Sequence, residues 1–357
     1  MNRTNRKPIG RGAAISPPSR FSKFQTEPDW EHALPDEHSE QSARTEFVFD
    51  SSRNVVTENE SPDVGFRYSL NPYRGCEHGC PYCYARQFHE YFGWSAGLEF
   101  ETRILVKENA PELFRKWVKR LRQCEPVAFS GATDCYQPAE RRFVLTRRCL
   151  EVALEAKLPV YVVTKNALLL RDLDVLSELA RQSLVHVSLS INSLNDELVG
   201  KMEPRTSRPQ LRLEAGARLV EAGVPVQVLV APVIPGLNDH EIPAVLRAAR
   251  EAGIRSAAYS LVRLPPSVQP IFLDWLKRTF PGKSRKVEQL IRATHGGELD
   301  DPRFLYRMTG TGELAEQIRR TFEVFRNKLG LAEPLPALNT SHFRPLHSVQ
   351  RRLSFDG

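Results

Sequence analysis

The chain has 357 residues, 41% of them hydrophobic, 26% charged and with a net charge of +7. That is the composition of a globular protein with a buried core, and no run of about 18 apolar residues is available to cross a membrane. The first residues lack the apolar stretch of a secretory signal, which points to the cytoplasm, and six cysteines in a chain this long are not a disulfide framework. Charge is unevenly spread. Residues 1–25 carry six Arg or Lys and no acid, residues 26–60 carry ten acids against Arg44 and Arg53, and residues 61–357 are left with +9. Residues 1–60, rich in Pro, Ser, Arg and Glu without periodicity, are expected to be disordered or loosely attached.

From residue 61 short β-branched runs alternate with amphipathic segments. "FRYSL" (66–70) is the first expected strand, followed by a cysteine-rich loop and a helix over about 83–92. Further strands are expected at "PVAFSG" (126–131), "VYVVT" (160–164), "LVHVSLSI" (184–191), "VPVQVLVAPV" (224–233) and "SAAYSLV" (256–262). Helices are expected near 110–122, 146–157, 172–182, 209–222 and 239–252, the first capped at Asn109 with Pro111 in its opening turn. Six βα units in a row make a parallel α/β array. No G-x-G-x-x-G follows the first strand, so a partial (β/α)6 barrel with its site at the C-terminal strand ends is favoured over a dinucleotide fold. The expected boundaries are a barrel over 61–270, a helical C-terminal extension over 271–332 and a flexible tail over 333–357.

The cysteine loop "GCEHGCPYCYAR" places Cys76, Cys80 and Cys83 in C-x3-C-x2-C spacing. Three thiolates on a four-iron cluster leave one iron open to a cofactor. A Cys3His zinc site completed by His78 or His89 is the alternative. The motif, at the end of the first strand of a six-unit β/α array, resembles the radical S-adenosylmethionine (SAM) superfamily. With "GATDCYQPAE", "TKNALLLRDLDVL" and "VAPVIPGLND", covering about residues 66–265, it resembles spore photoproduct lyase and its uncharacterised radical SAM relatives. The resemblance implies a [4Fe–4S] cluster on the three cysteines, reductive cleavage of SAM to a 5′-deoxyadenosyl radical, hydrogen abstraction from substrate, and an external electron donor such as flavodoxin or ferredoxin.

The same resemblance implies further site residues. Asp134 or Thr133 would hold the SAM amino group, with a capped turn as the alternative for Asp134, Lys165 its carboxylate, and Ser188 or Ser190 its ribose or carboxylate, with a hydroxyl satisfied within the core as the alternative. Backbone at Ala231 and at Tyr82 would flank adenine. Tyr84 matches a tyrosine of the lyase's hydrogen-atom relay, with aromatic packing as the alternative. Where the lyase has its hydrogen-donating cysteine this chain has Gly131, and Cys135 lies four residues later, a candidate for radical quenching or a plain filler.

Arg141, Arg142, Arg147 and Arg148 stand around an expected helix start capped by Thr146, an arrangement suited to an anionic substrate unless nearby acids such as Glu140 and Glu151 pair with them. With the basic core, this makes nucleic acid the first choice of substrate, ahead of a peptide; a zinc-stabilised nucleic-acid-binding module is the non-catalytic alternative. Near the C-terminus, Gln350, Leu353 and Phe355 faintly resemble the linear motif that docks repair proteins on the sliding clamp.

Overall fold

The structure is a computed structural model, and it describes residues 10–21 and 44–346. In chain order the strands are β1 (Glu46–Phe49), β2 (Val56–Glu58), β3 (Tyr68–Leu70), β4 (Tyr73–Arg74), β5 (Arg103–Val106), β6 (Val127–Phe129), β7 (Val160–Thr164), β8 (Val185–Ser190), β9 (Val226–Val233) and β10 (Ser256–Leu261). Seven of them form one sheet in the order β10-β9-β8-β7-β6-β3-β2. From β3 to β10 every neighbouring pair is parallel, and β2 closes the edge antiparallel to β3.

Strand order follows chain order, and among the described residues β10 pairs only with β9 and an isolated bridge, so the sheet is left open. This is the expected partial barrel. Its strands read as near-continuous apolar runs because both faces are covered. Val162, Val187 and Val228 are fully buried, as are Leu150, Leu179, Leu219 and Leu246 from the helices packed outside. Those helices span Leu145–Ala156, Leu173–Arg181, Pro209–Glu221 and Ile242–Glu251, within a few residues of the expected ranges. Tyr84–Phe92 forms a 3-10 helix in place of the α-helix expected there.

A smaller sheet, β1-β5-β4, flanks the cysteine loop. Within the first 60 residues, β1 pairs in parallel with β5 and Val55 is buried. Residues 10–21 run as a strap over the cysteine loop. Gly12 and Ala13 donate their N–H groups to the buried Glu101 carboxylate at 3.1 and 2.8 Å, and Arg11 donates to the Glu101 carbonyl at 2.6 Å. Ser95 donates to Pro17 O, and Leu98 N–H to Ile15 O.

Beyond the barrel, helices Gln269–Thr279, Ser284–Thr294 and Glu313–Lys328 form the C-terminal extension. The chain then crosses the N-terminal ends of the strands. Ala257 and Asn339 donate to Leu331 O and Ser183 O, and the His186 ring meets Pro336 O at 2.7 Å. The Gln350, Leu353 and Phe355 pattern lies outside the described residues.

Candidate active site

Two glycines shape the cysteine loop. Gly75 (φ +76°) and Gly79 (φ +71°) adopt left-handed backbone. A Cβ at Gly75 would stand 2.8 Å from Arg103 O, and one at Gly79 2.8 Å from a Glu101 carboxylate oxygen. Between and after them Cys76 and Cys80 are buried and Cys83 is half-buried, all three as free thiols. Cys76 N–H donates to Phe100 O at 2.9 Å, and Cys83 N–H to Cys80 O at 3.2 Å.

Burial pushes all three thiols up, helped at Cys76 by Asp134 and by the other two sulfurs. Such thiols ionise only against a compensating cation, and metal ligation is the strongest such compensation. The donor set therefore fits an iron–sulfur cluster, in which each thiolate takes its own iron. A single zinc ion asks for ligands converging on one point at about 2.3 Å for sulfur. His78 is turned instead to Asp134 (3.4 Å) and to the Asn166 side chain (3.3 Å). His89 packs among Phe92, Trp94 and Phe100.

Opposite the loop, the ends of β6 to β9 bring together most of the expected site. Asp134 accepts from Tyr136 N–H (2.8 Å), Thr164 Oγ1 (2.7 Å) and Lys165 N–H (2.8 Å). It ties the β6 loop to the end of β7, so its carboxylate is already engaged. Thr133 spends its hydroxyl on Tyr73 O at 3.0 Å.

The Lys165 ammonium has no hydrogen bond or ion pair to another described residue. Burial works to lower its pKa, but Glu203 and Cys80 outweigh that and raise it, so the side chain is a cation close to both. Ser190 donates to Ala231 O at 2.9 Å and Ser188 to the Gln227 side chain at 3.4 Å, so β9 satisfies both hydroxyls. Ala231, half-buried, precedes a cis peptide bond to Pro232. Tyr84 reaches across to Gly131 O at 2.8 Å.

Two expectations meet a different geometry. Cys135 is completely buried in the main core, its N–H held by Ser130 and its carbonyl by Thr146. Its burial matches the filler alternative for this residue. The arginine cluster also changes meaning. The helix begins at Leu145, capped by Val144 rather than Thr146, and the buried Glu140 carboxylate occupies its N-terminus by accepting from Leu145 and Thr146 N–H. Arg147 pairs with Asp174 at 2.7 Å and Arg148 with Glu112 at 2.8 Å, while Arg142 lies over Phe47 and Phe143. Two of the four guanidinium groups are thus held by the protein's own acids.

One group of residues was not foreseen. Glu203 is buried and accepts from Arg212 (2.5 Å), Asn192 (3.1 Å) and the Tyr82 hydroxyl. Arg212, fully buried, also donates to Ser190 O at 2.7 Å and Ser207 O at 2.8 Å. The pair fixes Tyr82, beside the last cysteine, to the end of β8. Its only trace in the sequence is that Glu203 is the sole acid between residues 198 and 213, in a stretch rich in Arg and Pro.

A parallel partial barrel carrying three thiols on the loop after its first parallel strand defines a radical SAM protein. The signature of the radical SAM superfamily matches residues 70–249, half of the chain, and the chain belongs to that superfamily; it is a radical SAM enzyme. It is 35% identical over 230 residues to the uncharacterized protein Rv2578c of Mycobacterium tuberculosis, covering 64% of this chain and 68% of that one. It is 26% identical over 275 residues to the radical SAM Nalpha-GlyT isomerase of Pseudomonas phage M6, covering 74% and 55%. Among solved structures it resembles spore photoproduct lyase complexed with dinucleoside spore photoproduct, with a TM-score of 0.58, 16% identity and 79% of each chain covered, a likeness of fold. No helix of the described residues is long and apolar enough to cross a membrane.

Proposed function

We propose that Cys76, Cys80 and Cys83 hold a [4Fe–4S] cluster, that SAM lies across the barrel mouth beside it, and that the substrate is nucleic acid. The observation that carries the reading is the juxtaposition of two buried thiols and a half-buried one with a cationic Lys165 that has no hydrogen-bond or ion-pair partner among the described residues, at the C-terminal ends of parallel strands. Bound together, cluster and SAM supply the hydrogen-atom abstraction of the superfamily.

The chain's own residues do the rest. Lys165 neutralises the SAM carboxylate, since a bare ammonium in this setting needs an anion. Asp134 positions it by holding its peptide N–H. The Glu203–Arg212 pair fixes the Tyr82 hydroxyl and with it the backbone proposed to flank adenine; Ser190 does the same for Ala231 on the facing strand. Tyr84, hydrogen-bonded to Gly131 across the mouth, limits water at the point where a radical must be shielded. Electrons come from an external donor of the flavodoxin or ferredoxin kind.

Nucleic acid is favoured by the +9 charge of residues 61–357 and by analogy with the solved neighbour, which is complexed with a dinucleoside. The test is isotopic. The anaerobic, reduced enzyme is given SAM and a perdeuterated oligonucleotide, and the released 5′-deoxyadenosine is weighed. Deuterium in that product supports the reading. Product free of deuterium with single-stranded and duplex DNA and RNA would remove nucleic acid as the substrate.

A further inference from the structure

The 3-10 helix that follows the last cysteine has an unusual outer face. Its inward residues Ala85, Arg86, His89 and Glu90 are buried, while Tyr84, Phe88 and Tyr91 stand exposed. Tyr91 is 65% exposed, and Phe21 of the strap, 54% exposed, stacks on it at 5.1 Å and 25°. Tyr84 and Phe88 meet edge to face at 6.4 Å. Soluble proteins seldom leave a run of aromatic rings in water unless something covers it.

The inner end of this face is the barrel mouth. Tyr84 follows Cys83 directly and bonds to the β6 loop, and the Arg263 guanidinium lies over the Tyr84 ring at 5.7 Å, just beyond the end of β10. Arg263 makes no hydrogen bond or ion pair to another described residue, and its Nε is buried without a partner. Its neighbour Arg307 is already paired with Asp63, and Asp300 acts on Arg263 only at longer range. A cation so placed lacks an anion.

We propose that this face is the bed for a nucleic-acid strand whose bases are unpaired, stacked on Tyr84, Phe88, Tyr91 and Phe21, with a phosphate on Arg263. The inference rests on nucleic acid being the substrate. Rings along an exposed helix can stack only on bases whose faces are free; a duplex hides those faces inside its own stack and offers only edges and phosphates. Alternating rings and guanidinium groups are the chemistry of single-strand binding, where each stacked base adds affinity with little regard to sequence. The strand's inner end then lies against Tyr84, next to the cluster loop, where the reacting nucleotide must come.

The test is fluorescence anisotropy with the anaerobically reconstituted full chain and a labelled 12-nucleotide DNA, alone and annealed to its complement. The single strand is expected to bind about tenfold tighter than the duplex or better. Phe88→Ala with Tyr91→Ala is expected to weaken single-strand binding by roughly 10- to 100-fold, with iron content and melting curve showing that the fold is kept. Phe88→Tyr with Tyr91→Phe keeps the rings and is expected to bind like the parent. Arg263→Gln is expected to lower the salt dependence by about one phosphate contact. Equal affinity for strand and duplex, or parental affinity in the double alanine variant, would overturn the bed while leaving nucleic acid as substrate. No binding to strand or duplex would take down the substrate assignment itself.

Discussion

Gly12→Ala should damage the protein far more than a single methyl group on a loop ordinarily does. The Cβ of an alanine there would lie 1.9 Å from Gly79 O and 3.0 Å from Pro81 Cδ. The first contact is backbone of the cysteine loop, which has no rotamer to yield with, so either the strap lifts or the loop moves. Lifting the strap breaks the N–H bonds of Gly12 and Ala13 to the Glu101 carboxylate. Each such bond to a charged acceptor contributes about 1.5–3 kcal/mol. Glu101 keeps its buried partner Arg86 and gains water, which offsets part of the loss. The expected destabilisation is about 2–4 kcal/mol, a large share of a stability of about 5–15 kcal/mol. In a thermal melt followed by circular dichroism the midpoint should fall by roughly 3–6 °C, and the reconstituted protein should hold less iron because Gly79 stands between the first two cysteines. Gly65→Ala, where nothing lies within 4 Å of the new methyl, is the control. A Gly12→Ala protein that matches the control in both melting and iron content would refute the reasoning.

Glu203→Gln leaves Arg212 as an unpaired charge in a fully buried site, and a loss of about 3–5 kcal/mol is expected in chemical denaturation. Lys165→Met should keep the iron and the fold but weaken SAM binding by tenfold or more in isothermal titration, because a charged contact of about 1.5–3 kcal/mol is removed; unchanged affinity would move the carboxylate elsewhere. Cys135→Ala is expected to cost about 1 kcal/mol as a small core truncation and to leave 5′-deoxyadenosine release as it was. Arg147→Ala with Arg148→Ala should leave nucleic-acid affinity unchanged within error, since Asp174 and Glu112 already hold both side chains.

The barrel was legible because its strands are short, β-branched and buried on both faces, a pattern that needs no partner to be seen. The cysteine loop was legible because its spacing is local. What escaped was everything made by pairing across the fold. Glu203 and Arg212 lie nine positions apart with a turn and a helix start between them, and nothing local marks them as buried. The strap over residues 10–21 has no periodicity, since backbone N–H groups and two close glycine contacts hold it rather than an apolar stripe. The arginines at the start of Leu145–Ala156 looked like a cationic mouth because a helix-dipole argument sees only its own element. Asp174 and Glu112 come from other helices, and Glu140 folds back from the preceding turn. Tyr84 was legible as a residue but not as a bridge, because its partner Gly131 stands 47 positions away.

The central claim is that the cysteine loop holds a four-iron cluster that works on SAM. It is tested most directly by reconstituting the full chain with iron and sulfide without oxygen, then adding dithionite and SAM. The account predicts a brown protein with about four irons per chain that releases 5′-deoxyadenosine, and the loss of colour and product together in Cys76→Ala, Cys80→Ala and Cys83→Ala. A colourless protein that carries one zinc per chain and leaves SAM intact would contradict it.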